Sequence, residues 1–364
     1  MPSSTPYQIE FPRLGVVRRF GHRATAQSGE HGSPYSINVR LKDSLTGRLR
    51  GGSFTAIGLP VKSDPVYRDR AISFSGNIIT AARQGNSSDT ALSTDISDTR
   101  RPIIFPLSLA GVVGGTVVAV VPHKDAYLLC FTATEIWVLA GDPTTGGLRR
   151  VSDQVGIVGV NAWCVAHDTV YFLSQYGLYA VGADGSGLKP LSEDRVPEEL
   201  TDTIDTTAIL DYYHLDRGVY IHLTKAPSWF YDTEHGGFWP FGGSTQQSHL
   251  LLGPFHVGEE NSYGRIQNLQ GNMAAGSDDV TWRIVTGLTA EEAAANGKAA
   301  IAAAVAGNSY SSYVAASGTW SAGRSHMSYP RTRAIWCCFW LSVESGDWAY
   351  EAMAMTRMPS GKWR

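Results

Sequence analysis

Residues 117–141 read VVAVVPHKDAYLLCFTATEIWVLAG, two apolar runs joined by the polar triplet His123-Lys124-Asp125. Val, Leu, Tyr, Phe and Trp on either side of a turn former are the signature of a β-hairpin. The design returns in WCVAHDTVYFLSQYGLYAVGADG (Trp163 to Gly185), AILDYYHLDRGVYIHL (Ala208 to Leu223) and WFYDTEHGGFWPFGG (Trp229 to Gly243). Their turns are His167-Asp168, Asp216-Arg217-Gly218 and His235-Gly236-Gly237. Hairpins recurring in this way, with no helical period between them, predict an all-β chain whose sheets repeat radially as a β-propeller. The physical reason is that one such unit cannot bury both of its faces alone. Unit lengths of roughly 35 to 45 residues favour six blades within a range of five to seven. Trp137, Trp163, Tyr171, Tyr179, Tyr220 and Trp239 are expected to pack between neighbouring sheets.

Outward from this core the pattern changes. Residues 1–60 carry prolines at 2, 6, 12 and 34 and the cations Arg18, Arg19 and Arg23, and read as an N-terminal basic arm with outer strands. The arm ends in SINVRLKDSLTGRLRGGS (Ser36 to Ser53), which contains Arg48 and Arg50. Residues 61–364 form the expected propeller, with a further hairpin over HLLLGPFHVGEENSYGRIQNL (His249 to Leu269) and an insertion at 250–325. Within that insertion Thr289 and Glu292 have the spacing of a capping box, and the Ala-rich run after them predicts a surface helix near 289–305. Gly297 inside it costs about 1 kcal/mol relative to Ala. The tail returns to sheet as RAIWCCFWLSV and WAYEAMAMTRM around a Glu344-Ser345-Gly346 turn. This C-terminal hairpin is the candidate for closing the ring, beside strands near Ile37 to Leu41 or Ala71 to Ser75.

Charge and motif content narrow the chemistry. Residues 1–70 hold 11 Lys/Arg against 5 Asp/Glu and the remainder 19 against 28, so a basic arm accompanies an acidic body. Such an arm suits docking on an acidic partner or on nucleic acid, while the body repels phosphate. No G-x-S-x-G, H-E-x-x-H, P-loop or strand-associated G-x-G-x-x-G occurs, so no catalytic residue and no cofactor are expected. The His residues fall one per strand or turn, and Cys130, Cys164 and Cys337-Cys338 lack C-x-x-C spacing, so no metal site is expected either. Asp184-Gly185-Ser186-Gly187 reads as a plain turn, and the acidic run from Glu193 to Asp205 as a solvated loop. MPSSTPYQIE lacks a charged start followed by an apolar stretch, and 18 apolar residues never run together; neither a signal peptide nor a membrane span is expected.

Several of these segments together are familiar. INVRLKDSLTGRLRGGS, EIWVLAGDPTTGG (Glu135 to Gly147), VGIVGVNAWCVAHDTVYFLSQYGLYAV (Val155 to Val181), KPLSEDRVPEEL (Lys189 to Leu200) and FYDTEHGGFWPF (Phe230 to Phe241) resemble a family of tailed-bacteriophage virion proteins. These are the tail nozzle proteins of short-tailed phages, also called tubular or DNA-stabilisation proteins. The resemblance covers most of the chain and is weaker over 76–115 and 250–325.

That resemblance implies a structural ring, usually six-fold, below the portal and adaptor in the virion tail, assembled in the host bacterial cytoplasm. Its channel would carry the genome with transient, non-specific contact to DNA, for retention and ejection. In such a ring Arg18, Arg19, Arg23, Arg48 and Arg50 are the candidates for docking on neighbouring tail proteins. Two other classes stay open. A tail-tip or receptor-binding propeller recognising glycans would use exposed aromatic turns such as Trp229, Phe238 and Trp239, and a propeller glycosidase would need carboxylates converging on the axis.

Overall fold

The computed structural model describes residues 6–9, 35–37, 39–43, 48–51, 62, 65–68, 70–83, 103–105, 113–143, 146–193, 198–225, 227–241, 247–258, 262–274, 276–321 and 325–363. Contacts divide the chain into two compact units, Ile57–Ser228 and a second made of Met1–Ala56 with Trp229–Arg364. Both chain ends thus share one unit, whereas composition alone sets 1–60 apart from everything that follows.

The architecture is all-β, in several antiparallel sheets. The N-terminal part of the split unit supplies β1 (Pro6–Ile9), β2 (Tyr35–Ile37), β3 (Val39–Asp43) and β4 (Arg48–Gly51). The continuous unit follows with β5 (Val66–Tyr67), β6 (Arg70–Ser75), β7 (Ile78–Arg83) and β8 (Ile103–Phe105). Next come β9 (Val117–His123), β10 (Tyr127–Thr132), β11 (Ile136–Ala140) and β12 (Gly147–Ser152). They are followed by β13 (Trp163–Ala166), β14 (Thr169–Ser174), β15 (Gly177–Gly182) and β16 (Lys189–Pro190), and by the hairpin β17 (Ile209–Tyr213) and β18 (Gly218–His222). The C-terminal part adds β19 (Ser228–Asp232), β20 (Phe238–Phe241), β21 (Ser248–His256), β22 (Ser262–Met273) and β23 (Val280–Gly287). It ends with β24 (Val314–Trp320), β25 (Ser325–Ser328), β26 (Arg333–Ala334), β27 (Trp336–Val343) and β28 (Trp348–Trp363).

In the continuous unit three successive sheets, β5 to β8, β9 to β12 and β13 to β16, are each a meander in which every strand pairs with its sequence neighbour. This follows from short polar turns, which leave an antiparallel neighbour as the nearest partner. β9 and β10 are buried nearly throughout, so both faces of that sheet are covered. Tyr67, Ile72 and Ile79 of the first meander form one apolar cluster with Val120, Leu128, Cys130 and Leu139 of the second. Phe131 and Phe172 carry the packing on to the third, with ring centroids 5.0 Å apart. Each such fully buried side chain contributes about 1.5–3 kcal/mol relative to exposure.

Of the aromatics expected between sheets, Tyr220 and Trp239 are buried, and Trp137, Trp163, Tyr171 and Tyr179 are half-buried. Two of the half-buried ones use their indole N–H near the surface: Trp137 Nε1 donates to Glu135 Oε2 at 2.9 Å and Trp163 Nε1 to the Val160 carbonyl at 2.9 Å.

The split unit has a different construction. A five-stranded sheet runs β2-β21-β27-β23-β24, and a seven-stranded sheet runs β25-β22-β28-β4-β3, with β1 also on β28 and β26 on β22. β22 and β23 are consecutive, as are β27 and β28, and they pair as one long ribbon: β23 with β27 in the first sheet, β22 with β28 in the second. The ribbon changes sheet around 274–279 and 344–347. There Asp278 Oδ2 accepts from Asp347 N at 2.9 Å, and Ser277 Oγ accepts from Ala349 N at 3.0 Å while donating to the Ala349 carbonyl at 2.9 Å. The segments read as hairpins at His249–Leu269 and at the C-terminus are therefore strands that part company into separate sheets. Turn residues signal a change of direction, but not whether the two strands stay paired.

The C-terminal strands nevertheless meet the N-terminal ones. β28 pairs with β1 and β4, and β21 joins β2 to β27. The partners are Pro6–Ile9, Arg48–Gly51 and Tyr35–Ile37, and the strand near Ala71 to Ser75 lies instead in the first meander.

Residues 250–325, read as an insertion, supply β21 to β24, so they are integral to both sheets. Their helix spans Ala290–Val305 as the capping box predicts: Thr289 Oγ1 accepts from Glu292 N, and Glu292 Oε2 reaches back to Leu288 N. Its buried face is Ala290, Ala293, Gly297, Ala300 and Ile301, laid on Leu251, Cys338 and Trp340. Gly297 is there for proximity, because a Cβ would stand 2.6 Å from Leu251 Cδ2. No helix among the described residues is long and apolar enough to cross a membrane.

Candidate functional site

The first hairpin turn of each meander is built alike. Arg68, Lys124, Asp125, His167 and Arg217 have φ of 50, 46, 54, 55 and 48°, the left-handed region in which a non-glycine residue costs about 1–2 kcal/mol. The turns offset that cost by bonding to one another along the chain. Arg68 N donates to Asp125 Oδ1 at 2.6 Å and Arg68 Nε to the Asp125 carbonyl at 2.8 Å. Lys124 Nζ meets Asp168 Oδ1 at 2.5 Å, and His123 Nε2 lies 3.0 Å from the His167 carbonyl oxygen. The His167 ring then stands edge-on to Tyr212, with centroids 6.3 Å apart. The Lys124 hydrogen bond and charge hold the Asp168 carboxyl below the usual carboxylate range. The result is a polar belt that joins sheet to sheet at one end of the strands.

A cavity of about 570 Å³ lies at the other end of the same strands. β9 runs from Val118, at the cavity, to His123, in the belt. Its floor comes from the connection between the second and third meanders, Ile157 to Val160, and its wall from Thr201 to Thr206, with Ala133 and Gln175 at the hairpin tips. Gly159 permits this crossing, since a Cβ there would stand 2.2 Å from the Thr206 carbonyl oxygen. Val160 in this lining is exposed at 52%, and Tyr176, which follows Gln175 in the chain, at 56%.

Among the described residues Asp205 is the one ionisable side chain in that lining. Its Oδ1 accepts from Thr207 N at 2.8 Å and Thr207 Oγ1 at 2.5 Å, and the Thr207 hydroxyl holds the carboxyl below its usual range. Beside this carboxylate, the described lining offers apolar contact, an amide and hydroxyls.

The remaining polar features are local. Asp184 Oδ1 accepts from Ser186 N at 2.9 Å and Ser186 Oγ at 2.6 Å, which makes Asp184–Gly187 a side-chain-capped turn. Asp232, Glu234 and His235 bring three potential metal ligands together, a grouping that the one-His-per-turn pattern overlooks. The Asp232 carboxylate is already engaged, accepting from Glu234 N at 2.9 Å and His235 N at 3.3 Å and lying 2.8 Å from His235 Nδ1. All four cysteines are buried and unpaired, and burial pushes the thiols of Cys130 and Cys164 up to about 12. Lys62 Nζ sits 3.8 Å from the Trp163 ring centroid without a hydrogen-bond acceptor among the described residues, and burial brings the amine down to about 8.

Of the docking candidates, Arg48 and Arg50 lie on β4 between β3 and β28. Arg18, Arg19 and Arg23 lie outside the described residues. Trp229, Phe238 and Trp239, considered as exposed aromatics, are buried to 1%, 0% and 1% exposure. They belong to β19 and β20 themselves, and the turn between is Thr233–Gly236. No protein-family model matches this chain, and no curated protein shows significant similarity to it.

Proposed function

We propose that this chain is a structural component of a bacteriophage tail, a nozzle-like ring protein below the portal and adaptor whose β-propeller body surrounds part of the DNA channel. The observation that carries this reading is the run of sequential four-stranded meanders packed face to face and tied turn to turn. A propeller is built from such units, and pairing of N-terminal with C-terminal strands is the form its closure takes, six blades being the preferred number. The resemblance of the blade segments to the nozzle family supplies the role. A wall built of meanders and bonded turns suits a passive conduit, which holds shape and performs no chemistry.

Negative-stain images of the purified protein mixed with portal and adaptor test this directly. A ring, six-fold in projection, is expected, and replacing both Arg18 and Arg19 with Glu should weaken its assembly in a salt-sensitive manner. Separate particles at all protein ratios would refute the reading. The cavity, whose described lining offers the Gln175 amide and the hydroxyls of Thr201 and Thr206, favours a second reading, a glycan-binding tail-tip propeller, for which a glycan array is the assay.

A further inference from the structure

β24 is the outer strand of the five-stranded sheet, and its seven residues, Val314–Trp320, contain neither a charge nor a proline. Proteins normally blunt such edges, because an exposed row of backbone N–H and C=O groups templates pairing with another chain. Among the described residues every other sheet edge is blunted. β3 carries Arg40 and Lys42, β12 carries Arg149 and Arg150, β17 carries Asp211, and Pro122, Pro190 and Pro240 interrupt β9, β16 and β20. The remaining edges, β1, β2, β5, β8, β13, β25 and β26, are four residues or shorter.

The outward side of β24 is also unsatisfied. Beyond its ladder to β23 and the Val314 N–H to the Ser311 carbonyl, residues 314–319 form no backbone hydrogen bond among the described residues. Ala315, Ser317 and Thr319 are exposed, and all three are small.

We infer that β24 is a two-fold interface at which a second copy of this chain pairs antiparallel, strand to strand, about Ser317. The occupant follows from the survey of edges. A head-to-tail contact needs two open edges on each copy, whereas a two-fold contact uses the same patch twice. Neutrality also matters, since any charge near the centre of a self-paired strand would lie close to its own copy. With Ser317 at the centre, Ala315 faces Thr319 and Ala316 faces Gly318, so small side chains meet small side chains. Seven residues give a contact roughly 23 Å long. Because a two-fold contact cannot propagate around a ring, this pairing stands apart from the ring proposed above.

The test uses the full chain. Sedimentation across a concentration series should show a monomer–dimer equilibrium for the unaltered protein. Ser317→Lys with Thr319→Lys should weaken it at least tenfold with an unchanged circular dichroism spectrum, because the positions are exposed and the added charges oppose one another. Ser317→Cys should be captured as a covalent dimer by a short bis-maleimide, which adds one thiol to each of its ends, the four native cysteines being buried. A protein that never dimerises would overturn the inference. So would a double-lysine variant that dimerises as before, or a Ser317→Cys dimer that resists cross-linking.

Discussion

Acidification should weaken the split unit through His249. This imidazole is buried on β21, and its Nδ1 accepts the indole N–H of Trp340 at 3.2 Å, so its neutral form is the one built into the sheet. Arg283 shares the same surroundings. Its guanidinium lies 4.2 Å from the Trp340 ring centroid and donates to Ser342 Oγ at 2.6 Å and Tyr310 OH at 3.0 Å. Burial first, and Arg283 second, push the His249 pKa down to about 4 from an ordinary 6.5. Above pH 6.5 the group is neutral in both folded and unfolded chains and has no effect. Between 6.5 and about 4 the unfolded chain binds the proton and the folded one does not, so stability falls as pH falls across that window. At 1.36 kcal/mol per pH unit the full loss is about 3 kcal/mol, and no further loss from this group follows below pH 4. Urea midpoints at pH 7 and pH 4.5 measure it. His222 and His256, also shifted down by burial, contribute to the same window, so the informative quantity is the difference from His249→Asn. Asn keeps an acceptor for Trp340 and cannot charge, so most of that ~3 kcal/mol of pH dependence should vanish in the variant. Equal pH dependence in the two proteins would refute the assignment.

Gly297→Ala should destabilise by about 1–3 kcal/mol despite the better helix propensity, because the new methyl meets buried Leu251; thermal unfolding that rises instead would contradict the packing described. In the turn belt, Asp168→Asn should leave the urea midpoint close to that of the unaltered protein at moderate salt, since the Lys124 pair is exposed and screened by solvent, and any effect should shrink in high salt.

How much of this was legible in advance differs between the two units. In 117–223 the local signals carried furthest: apolar runs marked strands and the quoted turn formers marked the first reversal of each sheet, with nearest-neighbour pairing following because a short turn leaves no other partner within reach. Each stretch read as two strands at 117–141 and 163–185 nevertheless holds three, and the outer strands β12 and β16 have no apolar run to mark them. The capping box of the 290–305 helix was equally local. In the split unit the same signals identified strands but not their partners. β21, β22, β27 and β28 look like two hairpins, yet their pairing is decided by contacts across some 70 to 100 residues, such as Trp348 Nε1 with Ser248 Oγ and Arg357 with the His256 carbonyl. Trp229 and Trp239 show the same limit, for an aromatic next to a turn is exposed or buried according to what packs on its strand. The cavity was hidden for a related reason. Val118, Gln175 and Asp205 lie in three separate segments, and only the packing of successive sheets brings them together. Local periodicity and turn chemistry act over a few residues and can be read from them; strand partnership, burial and cavities arise from surfaces that meet only when the chain has folded.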